Sequence, residues 1–194
     1  MFLNLAVAAL LTLPAPVVVD VITLNGTGCA PGTTAISVLP DNSGFQIDHT
    51  DFRAVAGGDA PVTAFRRNCQ LNLVVHVPDG WTYAISRIVH QGSLHLEPGA
   101  TAVLRSLYYY AGGPLPAYRT HTFTGPLDQD WQAIDTIELE AQVFVPCGQQ
   151  RNLNVNAELR VTPGDTPAVS SWIAMRALST DVRTTYEFAW RECA

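Results

Sequence analysis

Lysine is absent from this chain of 194 residues: all 11 basic side chains are arginine, and 17 acidic ones leave a formal net charge of −6. No basic cluster occurs, so the chain lacks the concentrated positive charge with which proteins meet nucleic-acid phosphates or anionic lipid. Neither partner is expected. Also missing are the CxxC, HExxH, EF-hand and GxSxG patterns, which removes the usual local signatures of zinc or thioredoxin-type redox sites, metalloproteases, calcium loops and serine nucleophiles. No long window carries the 3.6-residue apolar spacing of an amphipathic helix.

What is present begins with an apolar leader. The opening "MFLNLAVAALLTLPAPVVVD" is interrupted by Pro14 and Pro16, whereas a membrane anchor needs about 20 uninterrupted apolar residues. Small residues around Ala15 suit a signal peptidase. The expectation is a signal peptide over residues 1–19, cut between about 15 and 20, followed by a single secreted domain over 20–194.

Four cysteines, Cys29, Cys69, Cys147 and Cys193, are widely spaced. Behind a signal peptide they are expected to form two disulfides. Three connectivities are open; Cys29 with Cys69 and Cys147 with Cys193 is favoured because these pairs close the shorter loops. Asn25-Gly26-Thr27 is an N-glycosylation sequon, which points to surface.

From residue 33 onward the apolar pattern has a period of two. Cys69, Leu71, Leu73, Val75 and Val77 share one face of a strand, Pro78-Asp79-Gly80 turns the chain, and Trp81, Tyr83, Ile85, Arg87 and Val89 alternate again. Residues 69–77 and 81–90 are therefore expected to form a hairpin. Further strands are expected over 137–145, where Pro146 ends the run, and over 152–161 and 182–190. Weaker candidates cover 33–39, 44–54, 94–97, 101–110, 118–124 and 169–178, with a short helix over 168–181 as the alternative for the last. Gly, Pro, Asn and Asp punctuate the joints. About ten short strands with such turns indicate an all-β, antiparallel β-sandwich, with a jelly roll or barrel as the alternative.

The segments "NGTGCAPGT", "FRRNCQLNL", "TFTGP", "PCG", "LNVNAELRV" and "WREC" give the chain a resemblance to the secreted family catalogued as domain of unknown function 4360, found in fungi and bacteria. The resemblance covers Val21 to Cys193. It departs from the usual pattern at Ala30, between Cys29 and Pro31, and in arginine where lysine is common before the second and fourth cysteines. It implies a small secreted β protein with two disulfides and implies no activity.

Function must then be sought in side-chain constellations. Cys69 and His76 stand at odd and even positions of one strand, so they point to opposite faces and cannot act as a nucleophile and base. His95 with Glu97 on one strand face, and His90 nearby, offer too few ligands for a metal site. Glu138 with Glu140, or Asp128 with Asp130 beside Trp131, could serve glycoside hydrolysis only if a pair flanks a cleft. No cofactor is expected.

The polar faces of two strands are more distinctive. Gln70 and Asn72 lie on one strand, and Asn152, Asn154 and Asn156 on another. Amides donate and accept together, which suits sugar hydroxyls, and Trp81, Tyr109 or Trp131 could provide a ring for stacking. The first expectation for function is a monomeric extracellular protein that binds a polysaccharide, with a protein partner or a carboxylate-pair hydrolase as alternatives.

Overall fold

The computed structural model describes residues 16–175 and 183–194. The expected leader lies outside the described residues up to position 15, as does the end of the 169–178 candidate. Twelve strands form two antiparallel sheets: β1 (Val18–Asn25), β2 (Thr34–Val38), β3 (Gly44–His49), β4 (Arg53–Ala56), β5 (Arg66–His76), β6 (Trp81–Leu96), β7 (Thr101–Tyr110), β8 (Arg119–Thr124), β9 (Leu127–Thr136), β10 (Leu153–Thr162), β11 (Ser171–Ala174) and β12 (Thr184–Glu192). The first sheet runs β1-β5-β10-β7-β8. The second runs β2-β3-β12-β6-β11-β4, with β9 also paired to β6. The sheets are not closed into a barrel, so the sandwich expectation holds.

Alternation builds the core between the sheets. Leu71, Leu73, Leu104, Leu153 and Leu159 on the first sheet face Phe45, Ile47, Ile85, Leu94 and Tyr186 on the second, all nearly inaccessible. Each such side chain contributes about 1.5–3 kcal/mol of burial. Phe45 and Tyr186 stack with ring centres 4.9 Å apart, and Tyr83 meets Phe188 edge-on at 5.1 Å. The two disulfides are Cys29–Cys69, which ties the loop after β1 to β5, and Cys147–Cys193, which ties the approach to β10 to the end of the chain.

Two sequence expectations are corrected. Residues 69–77 and 81–90 are strands but not a hairpin: β5 pairs with β1 and β10, whereas β6 pairs with β9, β11 and β12. Gly80, at φ +79°, closes a turn that carries the chain from one sheet to the other. Turn chemistry fixes the reversal and leaves the partner undetermined.

The 137–145 strand is replaced by a single 3-10 turn at Leu139–Ala141 and extended chain beyond it. Ile137 and Val145 are buried, but Leu139 is 71% exposed. These two buried residues attach to β6 by single backbone bonds, Ile137 N–H to Ser86 O at 2.8 Å and Val145 N–H to Tyr83 O at 3.1 Å. The ladder strand lies just upstream. In β9 the inward residues are Trp131, Ala133 and Asp135, while Ile134 is exposed, so an inward acid and an outward isoleucine mask the period.

Candidate functional site

Register places the amide residues in rows across the outer face of the first sheet. Tyr109, Asn154, Asn72 and Thr23 are cross-strand neighbours, and so are Leu107, Asn156, Gln70 and Asn25. The third row holds Thr120, Arg105, Glu158 and Asn68. The fourth holds Thr122, Val103, Arg160 and Arg66. Period two is sufficient to put them all on one side, because the opposite residues of the same strands fill the core.

Asn72 bonds both its row neighbour Asn154 and Asn152, just before β10. Asn72 Nδ2 donates to Asn154 Oδ1 at 2.9 Å, and Asn152 Nδ2 donates to Asn72 Oδ1 at 2.7 Å. Gln70 and Asn156 make no side-chain hydrogen bond among the described residues and face solvent in the second row. Asn25, carrying the sequon, is exposed beside Gln70.

A shallow depression of about 60 Å³ opens over the second and third rows, lined by Gln70, Asn156, Glu158, Arg66, Arg105 and Tyr118 among others. Tyr118 ends the loop joining β7 to β8 and is 49% exposed. Its ring covers the Arg105 guanidinium at 4.3 Å, a cation–π contact that fixes the ring's tilt. Glu158 pairs with Arg66 and, at 3.2 Å, with Arg160. Burial works against the Glu158 charge, but the Arg66 hydrogen bond and the surrounding arginines hold its carboxyl below the ordinary value. Amides, a fixed carboxylate, guanidinium donors and an aromatic ring thus border one concavity.

Of the three rings considered from sequence, Tyr109 adjoins this face. Trp131 is only 5% exposed and packs on Phe123 inside the sandwich at 5.3 Å; it offers no outer stacking surface. Trp81 belongs to the second sheet and borders a separate cavity of about 220 Å³ with His76 and Gln150. Sequence reasoning missed Tyr118, Arg105, Arg66 and Glu158. Arg105 could have been found from the β7 alternation, which sets it on the side of Tyr109; the return of Tyr118 over the sheet depends on the loop path.

The other candidates are dispersed. Cys69 is disulfide-bonded, and His76 points outward to Asp20, 2.9 Å away. His95 lies between Glu97 at 3.0 Å and Asp128 at 3.2 Å on the outer face of the second sheet. The Glu97 hydrogen bond, with Asp128 adding to it, raises the His95 pKa despite partial burial. His90 is turned inward and fully buried, so it cannot join His95. Among the described residues no three His, Cys, Asp or Glu side chains converge in a way that could hold a metal ion.

Asp128 and Asp130 are exposed on β9, and Glu138 and Glu140 are exposed around the 3-10 turn. Neither pair lines a described cavity. The acid that sequence reasoning overlooked is Asp135, whose side chain is 8% exposed and is reached by His121 at 3.1 Å and Arg119 at 3.8 Å from the opposite sheet.

An uncharacterized secreted protein of Arthroderma benhamiae is 27% identical over 172 residues, covering 89% of this chain and 70% of the relative. The enzymatically active domain of bacteriophage CBA120 tailspike protein 4 overlaps 86% of this chain but only 19% of its own, at 10% identity and a TM-score of 0.33. That likeness is too weak to carry an argument about function. A family model described as "Domain of unknown function (DUF4360)" matches residues 15–193, and the chain belongs to that family.

Proposed function

We propose that this protein is an extracellular binding protein whose outer first-sheet face holds a polysaccharide. The observation that carries the reading is the depression where Gln70, Asn156, Glu158, Arg66 and Arg105 meet the Tyr118 ring. Sugar hydroxyls need donors and acceptors close together, and the C–H face of a sugar packs on an aromatic ring. Charged groups held in pairs orient without leaving an unpaired charge when water is displaced. The two disulfides and the secreted relative support an extracellular setting.

The test is a screen of the secreted protein against a glycan array and insoluble cell-wall polysaccharides. Binding to at least one glycan class, reduced at least tenfold by Tyr118→Ala, is expected. No retention above background on any glycan overturns the proposal and directs the search toward a protein partner.

A further inference from the structure

A cavity of about 430 Å³ lies behind the β7–β8 loop, within the size range of small-molecule sites. Its walls are mostly apolar: Tyr108, Pro114, Leu115, Pro116, Ile137 and Val143 contribute. The one charged lining residue is Arg119, at the start of β8 and 38% exposed. Its guanidinium makes no hydrogen bond among the described residues; its one ion pair there, with Asp135, is long at 3.8 Å, and that carboxylate is held more closely by His121 at 3.1 Å. Ser106, directly opposite Arg119 in the ladder, is buried with its hydroxyl unpartnered. Tyr108 likewise makes no side-chain hydrogen bond among the described residues.

We propose that this cavity binds a small monocarboxylic acid with an apolar, ring-sized body, its carboxylate accepting from the Arg119 guanidinium and its body lying among the tyrosine and proline side chains. Arginine's planar set of five donors suits a carboxylate. A neutral ligand leaves those donors unused in an apolar cleft, and a second charge on the ligand finds no partner there. The site is separate from the outer-face depression: the two share Tyr118 at their border, while Arg119 and Val143 line only the cavity.

The experiment uses 2-naphthoate and its neutral counterpart 2-naphthylmethanol as probes, titrated into the secreted protein by calorimetry or probe fluorescence. Saturable binding of one naphthoate per chain is expected, at least tenfold tighter than the alcohol. Arg119→Gln should remove that preference with little effect on the alcohol. Val143→Trp, at a position 48% exposed and so tolerant of a larger side chain, should fill the cavity and weaken both probes at least tenfold. Absence of saturable naphthoate binding, equal affinity for the two probes, or binding indifferent to Val143→Trp overturns the proposal.

Discussion

Asn72 stands directly opposite Asn154, and its side-chain amide donates to the Asn154 carbonyl oxygen at 2.9 Å across β5 and β10. Because Asn152 donates to Asn72 in turn, the first row spends its amides internally and rigidifies the sheet. The second row, with Gln70 and Asn156, keeps its amides for solvent or a ligand. Alanine at Asn72 is accordingly expected to lower thermal stability, since it leaves two amide partners unpaired at about 1 kcal/mol each. Alanine at Asn156 should leave the melting temperature nearly unchanged and reduce glycan retention. Equal melting losses for the two variants would contradict this division.

Each disulfide joins residues far apart in the chain, 40 and 46 positions respectively. By loop-closure entropy, removing either one costs about 4 kcal/mol. Cys29→Ser with Cys69→Ser, and Cys147→Ser with Cys193→Ser, are expected to lower the urea midpoint by comparable amounts. Non-reducing peptide mapping of the parent should recover these two links with no free thiol.

Acid should destabilise the fold before most carboxylates titrate. Burial pushes His49 down to about 4, and burial, aided by the charges of His121 and His49, pushes His90 down to about 3. An unfolded histidine titrates at about 6.5. Between about pH 6.5 and 4 the unfolded chain therefore binds more protons than the folded one, so stability is full above 6.5 and falls as pH falls. The slope is about 1.4 kcal/mol per pH unit for each histidine. Urea midpoints at pH 7 and pH 5 should differ clearly, and His90→Gln should flatten the dependence. A midpoint constant over this range would contradict the buried, neutral state of both rings.

A signal-peptidase cut, expected from the sequence, is predicted to leave an amino terminus at or before Val17. Val17 is 6% exposed, and β1 pairs from Val18 opposite His76, so a cut at position 19 or 20 would strip core and ladder residues. Mass spectrometry of the secreted protein is expected to place the end near Ala15 or Pro16. An end beyond Val19 would contradict the role given to β1.

The sequence was legible where a single period governed a segment. Alternation identified β5, β7 and β10 and assigned Asn72, Asn154 and Asn156 to the side opposite Leu71, Val155 and Ala157, because side-chain direction is local. Strand partnership is not local, so Pro78-Asp79-Gly80 suggested a hairpin where the chain changes sheets. β9 was obscured by Asp135, an inward acid that His121 reaches from the other sheet at 3.1 Å, with Arg119 farther off at 3.8 Å. A register shift between Glu187 and Phe188 in the β12–β6 ladder likewise breaks the alternation of β6, turning Ile88 and His90 inward after Tyr83 and Ile85. Tyr118 lay beyond any periodic argument, since its place depends on the path of the 111–118 loop.

Binding isotherms on a retained wall polysaccharide for the parent, Tyr118→Ala, Asn156→Ala and Val143→Trp proteins decide whether the outer face of the first sheet holds glycans. Loss of at least tenfold in affinity for Tyr118→Ala, a smaller loss for Asn156→Ala and no change for Val143→Trp is the expected result. Unchanged binding by both outer-face variants would contradict the account.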